Sequence, residues 1–233
     1  MRFNLPVLVY QEKNCVHNHA DEIAQMGKNA LIVTGRNSSK KNGSLDDVIN
    51  ALKSKNIKYT VYDGVEENPS VETVMEAREI GVKAGCDFII GIGGGSPMDA
   101  AKAIGVMIYH KNENKDFLYK SVSDSQSLPV IEVPTTCGTG SEVTTVAVLT
   151  VHNEKTKKSM SHRIFPRMAL VDEKYIKNAP LKVICDTAID ALAHIVESCI
   201  NNNATEYSKM FAKEGLEAWS KFKDVLLGNR EAT

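Results

Sequence analysis

A run of three glycines is the feature of this 233-residue chain best suited to hold a ligand. It lies within residues 91–102, GIGGGSPMDAAK, between an apolar segment and a helical one. Glycines let a backbone approach a ligand closely and adopt positive φ. Ser96 is predicted as the N-cap of the following helix, with Pro97 first in the helix and Asp99 completing a capping box. The unbonded N–H groups of such a helix start favour a phosphate.

The same segment could also be a tight strand-to-helix turn without a ligand. It is not the GxGxxG fingerprint, because Ser96 and Met98 occupy positions where glycines would be needed. No Gly-Lys-Ser/Thr follows, so it is not a Walker A loop either. Its place after a predicted parallel strand favours ligand binding, since α/β sheets bind ligands at the carboxyl ends of their strands.

A second polar loop occupies residues 134–142, PTTCGTGSE, after another apolar segment. Its hydroxyl groups and glycines suit contacts to a diphosphate or a ribose. By itself it could be an ordinary polar loop. This loop should lie one strand away from the turn that contains the three glycines, which we call the glycine turn. A phosphate site shared by the two is therefore predicted.

Two potential metal ligands lie four residues apart in a third segment. Asp190 and His194 are at i and i+4 of a predicted helix and so project from one face. A carboxylate and an imidazole can bind one divalent cation, and Glu197 could support them from outside. The alternative is a surface Asp–His pair. Two ligands do not complete a metal site, which needs three or four.

Alternating short apolar runs and helical patterns predict the elements that position these residues. A doubly covered parallel sheet follows from this alternation, so the fold class is α/β. The predicted domains are 1–179, an α/β nucleotide-binding domain, and 180–233, the first helices of an incomplete helical domain. Strands are predicted at 30–34, 58–62, 87–92, 130–134 and 168–172, an antiparallel hairpin at 145–162, and helices at 44–55, 71–84, 97–109, 185–200 and 205–227.

Composition excludes several classes of protein. Hydrophobic residues make up 42% and charged residues 24%, which is typical of a globular protein. The net charge of -1 argues against nucleic acid and anionic membrane partners. Five scattered cysteines indicate reduced thiols, and no apolar run suits a signal peptide or a membrane span. A cytoplasmic location is therefore expected.

Taken together, the three segments resemble the iron-dependent (group III) alcohol dehydrogenase family. The match consists of residues 93–102, residues 134–142 and residues 190–194, DALAH, in the family's order. The glycine loop alone is shared with glycerol dehydrogenases and dehydroquinate synthases. The resemblance implies a dehydroquinate synthase-like nucleotide-binding domain, an all-helical domain after it, and hydride transfer between a primary alcohol or aldehyde and NAD(P).

The resemblance also implies roles for individual residues. Asp190 and His194 would bind Fe2+, with Zn2+ as an alternative. A lysine, Lys157 or Lys158, would lie near the nicotinamide ribose; a length difference before Pro166 leaves the choice open, and Lys158 is our selection. The remaining cofactor-binding residues implied for the pyrophosphate and nearby ribose are Gly94, Gly95, Ser96, Asp99, Thr135, Thr136 and Thr139.

NADP is expected in preference to NAD. Many family members end the first strand with an acidic residue that repels a 2′-phosphate, whereas this chain has Gly35 there. Ser38, Ser39 and the cations around them can pair with a phosphate. The alternative is a solvated loop, which would leave NAD as the cofactor.

The chain departs from the family beyond His194. The family supplies two further histidine ligands, but no histidine follows His194 before the last residue, Thr233. We therefore expect an amino-terminal fragment of a longer enzyme or a truncated protein, inactive by itself. A homodimer is expected. The alternatives are a nucleotide-binding module without catalysis and a relative acting on glycerol or another polyol.

Overall fold

A six-stranded parallel sheet forms the larger part of the chain. The computed structural model describes residues 4–177 and 179–227. The strand order is β1-β8-β5-β4-β2-β3, and every neighbouring pair in the sheet is parallel. The strands are β1 (Leu8–Gln11), β2 (Asn29–Gly35), β3 (Lys58–Val65), β4 (Phe88–Gly93), β5 (Val130–Pro134) and β8 (Met168–Val171).

Helices connect these strands. The α/β class and the predicted strands from residue 30 onward are confirmed, with ends within a few residues. The helices of this part are α1 (Cys15–Asn18), α2 (Ala20–Ala24), α3 (Ser38–Lys41), α4 (Ser44–Ser54), α5 (Val71–Ala84), α6 (Gly95–Tyr109) and α7 (Lys174–Lys177).

The apolar core lies on both faces of the sheet. Alternate residues of a strand point to opposite faces. On β2, Leu31 and Val33 pack in the cluster that includes residues of α5 and α6. Ala30 and Ile32 pack in the cluster that includes residues of α1, α2 and α4. The uninterrupted apolar sequence of this strand is therefore explained by burial on both sides.

Sequence analysis missed the amino-terminal strand. β1 pairs with β8 at the sheet edge, and its four residues are mostly exposed. A short, exposed edge strand has neither the length nor the alternation that identifies a strand in a sequence. The two short helices after it, α1 and α2, were also not predicted.

The predicted hairpin is present as two short antiparallel strands. β6 (Val148–Val151) pairs with β7 (Thr156–Ser159), and Leu149 lies opposite Lys158. Leu149 is fully buried, whereas Thr150 is half-buried. One face of the hairpin therefore packs on the core.

The chain divides into two compact units. Of the described residues, the sheet unit comprises 5–135 and 140–177, and the helical unit contains 4, 136–139 and 179–227. The sequence did not indicate that 136–139 would group with the helices. The boundary near 178–181 stays a prediction, and its Asn178 lies outside the described residues.

Two long helices dominate the helical unit. α8 (Leu181–Ile200) and α9 (Glu206–Leu226) correspond to the two predicted carboxyl-terminal helices. Thr205 caps α9 reciprocally with Ser208. The indole N–H of Trp219 donates to the carbonyl of Ala188 at 2.9 Å, which joins the two helices. Within 4–177 and 179–227, no helix is long and apolar enough to cross a membrane.

Substitution of Gly91 should destabilise the sheet unit. An added Cβ would lie 2.2 Å from Glu132 Oε2 and 2.8 Å from the Cβ of Ala101. Gly91→Ala is expected to lower the free energy of unfolding by about 1–3 kcal/mol, as overpacked cores do. Urea denaturation measures this change. Gly35→Ala is the control, because its Cβ would make an ordinary 3.5 Å contact; equal stability of the two variants would contradict the prediction.

Candidate nucleotide-binding site

The turn between β4 and α6 presents backbone rather than side chains. Gly93 has a φ of 149°, which residues with a Cβ rarely adopt. A Cβ there would also lie 2.7 Å from Cγ of Pro97. The carbonyl of Gly93 accepts from the N–H of Thr135 at 2.8 Å, which joins the ends of two adjacent strands. The turn therefore requires glycine and lies at the carboxyl edge of the sheet.

The helix begins earlier than the sequence predicted. Gly94 is the N-cap, α6 starts at Gly95, and no side chain caps it. Ser96 is inside the first turn, so the predictions of Ser96 as N-cap and of a capping box with Asp99 were wrong. Gly93, with its positive φ, makes the turn that leads into this helix start. The N–H groups in the first turn of a helix have no hydrogen-bond acceptor within the helix. Those of Gly95 and Ser96 are therefore positioned to bind an anion.

Asp99 is held by protein groups. Its Oδ1 accepts from the hydroxyl of Ser141 at 2.6 Å, and its Oδ2 accepts from the N–H of Val148 at 2.8 Å. Its side chain is 17% exposed. These contacts join α6 to the segment that leads into the hairpin.

Asn68 is a site residue that the sequence analysis missed. It adopts a φ of 57°, and its N–H donates to the Ser96 hydroxyl at 3.1 Å. Its carbonyl accepts from the Thr150 hydroxyl at 2.9 Å, and its side-chain oxygen accepts from Lys157 Nζ at 2.8 Å. The Asn-Pro pair at 68–69 is a turn signal, but only the fold brings it to the glycine turn.

The structure distinguishes the two candidate lysines by face. Lys157 reaches Asn68, which itself bonds to Ser96. Lys158 lies on the opposite face of β7, where it pairs with Glu154 and lies 5.7 Å from the centre of the Tyr119 ring. Of the two, Lys157 is therefore the one connected to the glycine turn.

The end of β2 carries the residues predicted to select NADP. Gly35 is half-buried, and Arg36 and Ser38 are exposed. Ser39 is fully buried, and its hydroxyl oxygen accepts from the hydroxyl of Thr34 at 2.8 Å. Its contacts are internal, so Ser38 is the accessible hydroxyl of the predicted pair.

An acidic side chain lies close to this strand end. Asp63, on β3, is half-exposed and bonds to Lys40 Nζ at 2.5 Å. The hydrogen bond from Lys40 holds the pKa of Asp63 below its usual value. Lys40 therefore offsets the negative charge of Asp63 beside this strand end.

The polar loop at residues 134–142, which is rich in threonine, is divided between the two units. Thr135 is buried in the sheet unit. Thr136 and Thr139 belong to the helical unit, where the loop packs against α8. A Cβ on Gly138 would lie 2.6 Å from the carbonyl oxygen of Thr187, so the loop and this helix are in close contact.

Asp190 and His194 are neighbours on α8, as the spacing predicts. Asp190 Oδ1 lies 3.7 Å from His194 Nε2, and Glu197 Oε2 lies 3.8 Å from Nδ1. The donor types suit iron or zinc. No group of three His, Cys, Asp or Glu side chains in the described residues is arranged to hold a metal ion. The pair therefore fits part of a metal site.

A buried carboxyl group lies beside the strand that leads into the glycine turn. Glu132 is fully buried on β5, next to Gly91 of β4. Among the residues described, neither of its carboxyl oxygens has a hydrogen-bond partner. Burial raises its pKa well above the usual value, and the nearby Lys102 charge only partly opposes this. The neutral acid is therefore the favoured form.

The parallel sheet and the glycine turn between β4 and α6 place the protein in the α/β class of nucleotide-binding folds. Comparison with known proteins makes the assignment more specific. Residues 6–173 match the model of the family "Iron-containing alcohol dehydrogenase". The chain therefore belongs to the iron-containing alcohol dehydrogenase family of oxidoreductases, which confirms the resemblance found in the sequence.

Individual relatives agree with this assignment. The chain is 36% identical over 188 residues to a long-chain primary alcohol dehydrogenase of Thermoanaerobacter ethanolicus, covering 80% of this chain and 47% of that one. It is 32% identical over 226 residues to an NADPH-dependent butanol dehydrogenase of Clostridium saccharobutylicum, covering 93% and 56%. A crystal structure of an iron-containing alcohol dehydrogenase from Thermotoga maritima superposes with a TM-score of 0.92 at 39% identity, covering 99% and 64%. The chain spans about half the length of the curated relatives that it matches.

Replacement of Glu132 should stabilise the sheet unit above neutral pH. An acid whose folded pKa is raised holds a proton that the unfolded chain releases above about pH 4.5, so its burial costs more free energy as pH rises. Glu132→Met is expected to raise the free energy of unfolding by about 1–3 kcal/mol at pH 8, because it removes a buried polar group that has no hydrogen-bond partner among the described residues. The gain should shrink toward pH 5.

Urea denaturation at several pH values measures this difference. Glu113→Gln removes an exposed acid and is the control. A Glu132→Met variant that is less stable than the wild type at pH 8, or that shows the same difference at every pH, would contradict the prediction.

Proposed function

We propose that this chain is the nucleotide-binding part of a metal-dependent oxidoreductase that interconverts a primary alcohol and an aldehyde with NADP. The observation that carries the proposal is the uncapped start of α6 at the carboxyl edge of the parallel sheet. Its N–H groups and partial positive charge favour the diphosphate of a dinucleotide. Family membership supports the reaction class.

Other residues are also proposed to contact the cofactor. Gly94, Gly95 and Ser96 bind the diphosphate in this proposal. Asp99 supports them by holding the helix through its bonds to Ser141 and Val148. Lys157 takes the place of Lys158 near the nicotinamide ribose, because it is the lysine bonded to Asn68. Thr135, Thr136 and Thr139 complete the proposed set.

Selection of NADP rests on the end of β2. Gly35 leaves room for a 2′-phosphate, and Arg36 and Ser38 are exposed beside it. The NADPH-dependent relative from Clostridium saccharobutylicum supports the same preference. NAD is the alternative, favoured by the carboxylate of Asp63, which could accept from ribose hydroxyls if Lys40 moved away.

The metal part of the proposal concerns α8. Asp190 and His194 are the proposed ligands of Fe2+, with Zn2+ as the alternative. A bound metal ion would act as a Lewis acid on the alcohol oxygen. Because two ligands do not complete a site, we propose that the 233-residue chain binds dinucleotide without turnover. A homodimer and a cytoplasmic location stay predictions.

A second function, dinucleotide binding without catalysis, is favoured by the lack of a third metal ligand in the part of the chain that is described. Titration of the chain with NADPH, combined with metal analysis and alcohol oxidation by the full-length gene product, separates the two. Binding with metal and turnover supports the oxidoreductase. Binding without either supports the module, and no binding by the wild-type chain would remove both.

A side chain at Gly35 should change the cofactor preference. Gly35→Asp places a carboxylate where the 2′-phosphate is proposed to lie, and repulsion should raise the Kd of NADPH at least tenfold relative to that of NADH, about 1.4 kcal/mol. Fluorescence titration with both cofactors measures the ratio. Gly35→Ala should keep the NADPH preference, because it adds only a methyl group. A wild-type chain that prefers NADH, or an unchanged ratio in Gly35→Asp, would refute the NADP proposal.

Loss of either proposed ligand should remove the metal. In the full-length gene product, Asp190→Ala and His194→Ala are each expected to reduce bound metal to background and kcat by more than about 100-fold, the loss that even a supporting residue can cause. Elemental analysis and an alcohol-oxidation assay measure these effects. Asp186→Ala is the control, because this exposed residue lies on the same helix and pairs with Lys182 one turn away. Normal metal content in His194→Ala would refute the ligand assignment.

A further inference from the structure

Lys102 is a fully buried cation on the helix that begins at the glycine turn. Burial of an ammonium group is costly unless it is paired and hydrogen-bonded. Its Nζ donates to the carbonyls of Ser141 at 3.0 Å and Val146 at 2.5 Å, and lies 3.4 Å from the carbonyl of Thr144. Lys102 therefore holds the 141–146 segment against α6 through backbone atoms.

Ser141 connects Lys102 to Asp99. The ammonium donates to the Ser141 hydroxyl at 2.7 Å, and that hydroxyl donates onward to Asp99 Oδ1 at 2.6 Å. Lys102 Nζ is also 3.3 Å from the same carboxylate oxygen. The three side chains form one directed network in which a buried positive charge is matched by a mostly buried negative one.

Two further carboxyl groups lie near this ammonium, those of Glu132 and Glu142. Burial raises the pKa of both, which favours their neutral forms. Asp99 is the carboxylate that pairs with Lys102, because its Oδ1 lies 3.3 Å from the ammonium nitrogen. This pairing fixes the side of α6 that faces the 141–148 segment.

Asp99 and Lys102 lie on the helix whose first turn is the proposed diphosphate site. Asp99 follows the first turn of α6, which carries the N–H groups of Gly95 and Ser96. A shift or rotation of this helix would move those groups away from the diphosphate oxygens. Lys102 has no exposed surface, so it acts on a ligand through the helix and not by contact.

We propose that Lys102 is a positioning residue for dinucleotide binding, which acts through Ser141 and Asp99 to hold the first turn of α6 in its diphosphate-binding place. The inference rests on the proposed nucleotide-binding function. It adds a residue that the loop motif alone does not assign, because the motif concerns groups that touch the cofactor. The alternative is a lysine that only stabilises the core.

Affinities for three ligands test the proposal on the 233-residue chain. NADPH and ADP contain a diphosphate, whereas 2′-AMP contains the adenosine part without one. Ser141→Ala removes the hydroxyl that bridges Lys102 and Asp99 and leaves the backbone contacts of Lys102 in place. Lys102→Met removes the charge. Both variants are expected to raise the Kd of NADPH and of ADP about tenfold or more and to leave the Kd of 2′-AMP within about twofold. Lys53→Met removes an exposed lysine from α4 and is the control.

The outcomes separate positioning from simple stabilisation. Circular dichroism and denaturation establish that each variant is folded at the titration temperature, and Ser141→Ala serves alone if Lys102→Met does not fold. A lower free energy of unfolding with unchanged Kd values would overturn the proposal. Equal weakening of all three ligands would also overturn it, because it indicates general loosening. Failure of the wild-type chain to bind NADPH and ADP would instead refute the proposed function on which the inference rests.

Discussion

The close approach of α6 to β4 is the constraint on which the rest of the structure depends. Gly91 has no side chain to separate its strand from Ala101 of the helix, and Gly93 allows the turn that starts the helix. Gly105 allows equally close contact further along α6, where a Cβ would lie 2.9 Å from the Ser127 hydroxyl. The helix therefore packs tightly on the sheet, and its uncapped start lies at the carboxyl ends of the strands. Protein interiors are packed too densely for such a helix to move without repacking.

The close packing of α6 on the sheet also buries several polar side chains. α6 is almost completely buried, and it carries Lys102 into the interior. The cation is satisfied by carbonyls, a hydroxyl and Asp99. Glu132 is the opposite case, because neither of its oxygens is paired among the described residues. The same small region therefore contains one well-satisfied charge and one acid that is favoured in its neutral form.

Much of the fold was predictable from sequence because local pattern and tertiary environment agree. β2 and β4 are apolar throughout, and central parallel strands are buried on both faces. Helix α5 has Ser70 as its N-cap, a position that serine favours. β1 was not predictable, because a four-residue edge strand gains its stability from pairing with β8 rather than from its own residues.

The candidate site was predictable only where its residues are close in sequence. The glycine turn and the Asp190–His194 pair are local motifs, and the structure retains their spacing. Serine favours the N-cap position, which predicts Ser96 there, but the helix already begins at Gly95, with Gly94 as its N-cap. Asn68 and Lys157 come together from residues 89 positions apart, so no local pattern could identify their contact.

The single tryptophan of the chain lies in the helical unit. Trp219 donates from α9 to the carbonyl of Ala188 on α8, two residues before Asp190. The larger sheet unit contains no tryptophan, so its unfolding contributes no indole emission of its own. Intrinsic fluorescence of the unmodified protein is thus a built-in optical reporter of the α8–α9 pair and of the helix that carries Asp190 and His194.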